Sequence, residues 1–186
     1  MKRLFNAAVC SAIILMLSAC GGGKETPKST TVKVPQISPE SLVSAETAST
    51  VSGATMKMTD DGVVQDGNAL TVTYVAEPLG SADTVSVSIE QFSDKVSTND
   101  TWTSYEYNRV HRGDMEFIQG LGQDCYIAYP YINVYDRGCY IKISAGSGGG
   151  ETQKTALINL ATQAASVIEQ TIPEEAVEDA SGNIIK

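Results

Sequence analysis

Three residue types in this chain carry reactive groups, and their spacing limits the chemistry open to them. The cysteines are Cys10, Cys20, Cys125 and Cys139. In an exported chain the pair Cys125 and Cys139 is the usual signature of a disulfide, which across a loop of this length would stabilise by ~3 kcal/mol. A strict meander of the surrounding strands would instead set the two ~10 Å apart, beyond the ~7 Å reach of a bridge, and leave two buried thiols. His111 is the single histidine and stands near Arg109 and Arg112. Without a nucleophile elbow, a second histidine or a paired-cysteine motif, no catalytic residue is assigned, and His111 reads as a surface residue ending a helix. Asp60, Asp61, Asp66 and Asn68 offer oxygen ligands, but they lack the alternating spacing and closing glutamate of a calcium loop. They read as turn residues; no metal and no cofactor is expected.

The remaining candidates are aromatic. Trp102, Tyr105 and Tyr107 precede a Gly120-Leu121-Gly122 stretch, and Tyr126, Tyr129, Tyr131, Tyr135 and Tyr140 follow it. A flat apolar ring with a polar tip suits recognition of a glycan, peptide or protein, and Trp102, Tyr105, Tyr129 and Tyr131 are the binding candidates. The competing reading is ordinary strand packing, since β-structure favours aromatics. More than three of these rings along one exposed groove would decide for binding.

The elements that must position these groups follow from periodicity. Ser44 as cap and Gly53 as stop bound a short helix. A strand is expected over Thr55 to Met58, with turns at Asp60-Asp61-Gly62 and Asp66-Gly67-Asn68. Ala69 to Val75 and Thr84 to Phe92 alternate apolar and polar residues as half-buried strands, joined by a turn at Glu77 to Ser81. A helix of poor propensity, capped by Ser97 or Asn99, runs from Asp100 to about His111. Three further strands cover Cys125 to Tyr129, Ile132 to Tyr135 and Cys139 to Ile143, with Asp136-Arg137-Gly138 as a tight turn with a bulge. From Glu151 to Thr171, Leu157, Leu160, Ala161, Ala164 and Ile168 recur at helical spacing. The fold class is therefore α+β: a largely antiparallel sheet with a long C-terminal helix packed on one face, in two layers, or three if helices cover both faces.

The N-terminus reads as an address. Lys2 and Arg3 precede an apolar stretch densest from Ala12 to Leu17, the plan of a secretory signal and too short for a retained membrane span. Leu17-Ser18-Ala19-Cys20 resembles the lipobox of bacterial lipoproteins. That resemblance implies cleavage after residue 19, lipidation of Cys20 and residence at the cell membrane or outer membrane on the extracytoplasmic face. Acyl chains there contribute ~0.8 kcal/mol per buried methylene. Residues 20–36 begin with a Gly, Ser, Thr and Pro mixture and read as a flexible stalk, 37–172 as one α+β domain and 173–186 as an acidic tail.

Removing residues 1–19 takes Lys2 and Arg3 from 13 basic residues and none from 22 acidic ones, so the mature chain carries a net charge of −11. Its cations do not cluster, which argues against nucleic acid as a partner. The run from Gly120 to Tyr126, the hairpin ending Arg137-Gly138-Cys139-Tyr140 and the Ala-rich last helix are similar to small secreted bacterial lipoproteins of unassigned function. That likeness implies a PsbP-like domain. Cys125 departs from the alanine usual there. The function expected is that of a lipid-anchored binding or scaffolding module of the cell envelope, not an enzyme. A cell-wall component, glycan or protein is the expected partner; the alternative is an envelope hydrolase or transferase using His111.

Overall fold

The computed structural model describes residues 34–78, 83–93, 98–146 and 150–177. The expected signal, Cys20 and most of the expected stalk lie outside these residues, as do residues 79–81 of the expected turn, Ser97 and residues 178–186 of the expected tail. Two short helices, α1 (Pro39–Leu42) and α2 (Ala45–Ser52), open the domain. Strands β1 (Thr55–Asp66), β2 (Ala69–Glu77) and β3 (Thr84–Gln91) follow, then helix α3 (Thr98–Val110). Strands β4 (Glu116–Phe117), β5 (Asp124–Ala128), β6 (Tyr131–Asp136) and β7 (Cys139–Ala145) come next, before helix α4 (Glu151–Thr171) and a single 3-10 turn, Glu174–Ala176.

The strands form one antiparallel sheet in the order β1-β2-β3-β7-β6-β5-β4. Two meanders thus meet where β3 pairs with β7, and α3 is the connection between them. The alternation of each strand separates two faces. Val85, Val87 and Ile89 of β3, Ile132 and Val134 of β6, and Ile141 and Ile143 of β7 lie on one face in a single core. Helix α4 packs there on β6 and β7, with Leu157, Leu160, Ala161, Ala164 and Ile168 all fully buried. Burying such a leucine or isoleucine contributes ~1.5–3 kcal/mol, so this face carries most of the stability. Helix α3 packs against β3, β6 and β7, and its Tyr105 joins the rings of the opposite face, which makes three layers in the middle of the sheet.

Local chemistry sets the boundaries. The Ser44 hydroxyl accepts from the Thr47 amide at 3.2 Å, and Gly53 ends α2 at φ 72°. The β6–β7 turn has two central residues at positive φ, Arg137 at 43° and Gly138 at 76°, with Asp136 opposite Cys139. It is a two-residue hairpin turn without the expected bulge. The Arg137 guanidinium crosses to the carbonyls of Glu169 and Ile172, where the end of α4 leaves acceptors unsatisfied.

Three expectations need correction. Strand β1 runs on to Asp66, because Asp60-Asp61-Gly62 forms a register irregularity between Met58 and Val63 and not a reversal. The domain begins before residue 37: Val34 is buried, the Ile37 amide donates to the Gln91 side chain at 2.9 Å, and that side chain donates to the Pro35 carbonyl. The stretch starting at 173 is not all tail, since Ala176 and Val177 are buried in the main core. In the last two cases a few buried apolar side chains outweigh a polar local composition, whereas β1 is carried on by its pairing with β2 while Val63 and Val64 stay exposed.

Candidate functional site

The polar residues of the strands converge on the face that α4 does not cover. Cross-strand register aligns Thr71 with Ser88, Ser88 with Lys142, and Lys142 with Asn133. Beside that row stand Ala69, Glu90 and Tyr140, in register with Tyr135. These are the outward partners of the apolar residues that face α4, so the same alternation that builds the core builds the polar surface. Helix α3 covers the β6 side of this surface, leaving a cavity of about 250 Å³ toward β2 and β3. Asp66, Ser88, Glu90, Asn108, Tyr140 and Lys142 line it, together with Ala69 and Thr71.

An aromatic cluster seats α3. Tyr105 is fully buried among Tyr126, Tyr135 and Tyr140, with ring centroids 5.3–5.7 Å away, and Trp102 meets Tyr135 edge-on at 4.9 Å. Such pairs contribute ~0.5–1.5 kcal/mol beyond area burial, which offsets the poor intrinsic propensity of α3. Thr101 fixes the first turn by donating to the Gly138 carbonyl at 2.7 Å. Gly138 is required here, because a Cβ would stand 2.7 Å from the Phe92 ring.

The hydroxyls of the cluster are unequal. Tyr140 donates to the Asn133 side-chain oxygen at 2.8 Å. The buried hydroxyls of Tyr105 and Tyr126 have no partner. Burial pushes the Tyr126 phenol up to about 12, partly opposed by Arg112 and Arg109, and moves Tyr105 and Tyr140 upward as well. Lys142 moves the other way: burial, then the positive charge of Arg112, lowers its pKa. Its ammonium sits 4.3 Å over the Tyr131 ring.

The expected site residues divide. Trp102 and Tyr105 belong to the packed cluster, and Tyr105 has no surface to offer a ligand. Tyr129 is half-buried against the main core on the other face, and Tyr131 lies beneath Lys142. No exposed groove of four rings forms from these residues. Cys125 and Cys139 are free and buried. They lie on β5 and β7 with β6 between them, and Cys125 faces Val134, which faces Ile141 and not Cys139. The expected bridge is thus replaced by the meander alternative, with two separate thiols whose pKa burial raises, that of Cys125 to about 12. His111 is exposed at the end of α3, its Nδ1 2.7 Å from the Tyr107 carbonyl and its ring 4.2 Å from the Tyr107 ring. Among the described residues no group of three or more His, Cys, Asp or Glu is placed to hold a metal ion.

Sequence reasoning missed Lys142, Glu90, Asn108 and the second role of Asp66. One signal for them was present: Lys142 is the only charged residue in β7, on the face opposite Ile141 and Ile143. A strand whose noncore positions read Tyr, Lys and Ser marks a surface that is half covered and half wet. Compared with family models, curated proteins and solved structures, the chain matches none.

Proposed function

We propose that the chain is a lipid-tethered module of the cell envelope. Cys20 holds it on the extracytoplasmic side of a membrane, and it binds or scaffolds a polar partner, such as a cell-wall component, a glycan or a protein. The observation that carries the binding half is the uncovered polar part of the sheet beside α3, where Thr71, Ser88, Glu90 and Lys142 line a cavity on the seven-stranded sheet. Ordered polar side chains on strands recognise a partner without the entropy cost of ordering a loop. The anchoring half rests on the lipobox-like residues Leu17 to Cys20 and on the acyl-chain energetics of a lipidated cysteine. Among the described residues no helix is long and apolar enough to cross a membrane.

Both halves are open to one set of experiments. Cells expressing the full chain are labelled with radioactive palmitate and fractionated, and the detergent-solubilised chain is then used to capture material from envelope extract. The expected outcome is label in the membrane-associated chain, its loss in Cys20→Ser, and recovery of a defined glycan or protein. An unlabelled chain would contradict the anchor, and recovery of nothing would contradict the binding module.

A further inference from the structure

The charged groups of the cavity beside α3 are arranged in an unusual way for a surface that serves only stability. Six Lys or Arg residues fall among the described residues. Lys57, Arg109 and Lys154 pair with Glu77, Glu106 and Glu116, and Arg137 caps α4. Lys142 and Arg112 alone have neither a carboxylate within 4.0 Å nor a carbonyl partner for the side chain, and the charge of Arg112 reaches Lys142, Tyr126 and Tyr140. Among the six described cations these two are the minority.

Two unpaired carboxylates line the same cavity. Glu90 is one diagonal step from Lys142 across the β3–β7 register, since Ser88 opposes Lys142 and Tyr140 opposes Glu90. Such neighbours are close enough for long side chains to meet, and opposite charges at this spacing ordinarily do. Here the Lys142 ammonium lies instead over Tyr131, and neither Glu90 nor Asp66 makes an ion pair. Lys142, Glu90 and Asp66 thus line one cavity without pairing, together with Ser88 and with Asn108, whose Nδ2 donates to the Ser104 carbonyl at 2.9 Å. A simple anion would meet Glu90 and Asp66, and a simple cation would meet Lys142. A ligand with an ammonium next to a carboxylate satisfies both sides, and 250 Å³ admits a molecule of few heavy atoms.

We infer that this cavity binds a small zwitterion of the α-amino acid class, its carboxylate held by Lys142 and its ammonium by Glu90 and Asp66. This rests on the reading of the same face as a binding surface and names its ligand chemistry. The Lys142 ammonium turns from the Tyr131 ring toward the cavity to meet the carboxylate, and Asn108 of α3 lines the side opposite β2.

The test is calorimetric titration of the full chain in detergent with alanine as the zwitterion. Propionate and methylamine serve as its two halves, and glucose and glucuronate as a neutral polyol and a sugar acid. Alanine is expected to bind, and each half alone to bind about tenfold weaker or worse. Lys142→Met and Glu90→Gln should each weaken alanine by about tenfold while near-ultraviolet circular dichroism remains that of the native chain. Binding of glucose or glucuronate in preference to alanine, lost in the same variants, would overturn the zwitterion assignment and leave the binding face standing. Absence of heat with every compound from a chain with native circular dichroism would overturn the zwitterion assignment, whereas the envelope capture described above tests the binding face with larger partners. Alanine binding unchanged in both variants would place the site elsewhere and overturn the inference as well.

Discussion

The two faces of the sheet are made by the same strands and differ in what completes them. Toward α4, the inward positions from β2 to β6 are apolar except at the strand ends, where Gln91 and Asp136 stand, and the helix supplies a matching stripe of Leu, Ala and Ile. Toward α3, an aromatic cluster grades into a row of hydroxyls and charges, two buried phenols lack partners, and a lysine and a glutamate one step apart do not pair. Unsatisfied buried hydroxyls each cost about 1–3 kcal/mol, and native folds keep few of them. One face is therefore optimised for holding the fold, and the other retains features that stability does not explain.

The largest expected effect breaks the α4 face. Ile141→Ala, at a fully buried central position, should destabilise by about 2–5 kcal/mol in denaturant unfolding, whereas Ser88→Ala on the reverse face should stay within about 0.5 kcal/mol. Comparable losses at both sites would erase the distinction between the faces.

Next in size is Asp136, the buried carboxylate among the described residues on the apolar side. It is 4% exposed, one of its oxygens has no partner, and burial, then Glu169, raises its pKa to about 6. A folded-state pKa above the unfolded value gives stability that is fully present below about pH 4 and lost as pH rises through about 6. Asp136→Asn should therefore stabilise at pH 7.5 by up to ~3 kcal/mol, and the gain should vanish near pH 4. Thermal melts at the two pH values check the sign, and a loss at pH 7.5 would show that the carboxylate is paired.

Gly138→Ala should cost ~1–3 kcal/mol, since φ is 76° and the new methyl would press on Phe92 and Thr98. Because the strained turn also seats α3, the near-ultraviolet signal of the tyrosine cluster should melt earlier in this variant. The smallest effect separates the phenols. Tyr126→Phe should be neutral or stabilise by up to ~1 kcal/mol, while Tyr140→Phe should lose ~1 kcal/mol with its bond to Asn133. Equal losses in the two would mean that the Tyr126 hydroxyl is satisfied.

Much of the fold was legible because its signals are local. The alternation of Val85, Val87 and Ile89 with serines, the Ser44 and Gly53 caps and the stripe from Leu157 to Ile168 each depend on side chains within one element. Pairing of β3 with β7 depends on contacts between residues as distant in sequence as Val85 and Ala145, which periodicity does not contain. For the same reason the aromatic residues were visible as a set, but not that Tyr105 would point inward and Tyr131 would lie under a lysine. The cysteine pair shows the limit from the other side: strand order decides it, and both alternatives were readable while the order was not. Lys142 and Glu90 escaped notice because an isolated charge in a strand is unremarkable until its register neighbour is known.

The central claim is that the α3 side of the sheet is kept polar for a partner, and Ser88→Arg tests it most directly. The added side chain projects into the cavity between Thr71 and Lys142 without entering the main core. Native and variant full chains are compared for capture from envelope extract and for unfolding free energy in denaturant. Capture lost with a destabilisation of no more than about 1 kcal/mol, the cost of a like charge opposite Lys142, is the predicted result. Capture undiminished in a folded variant would contradict the account.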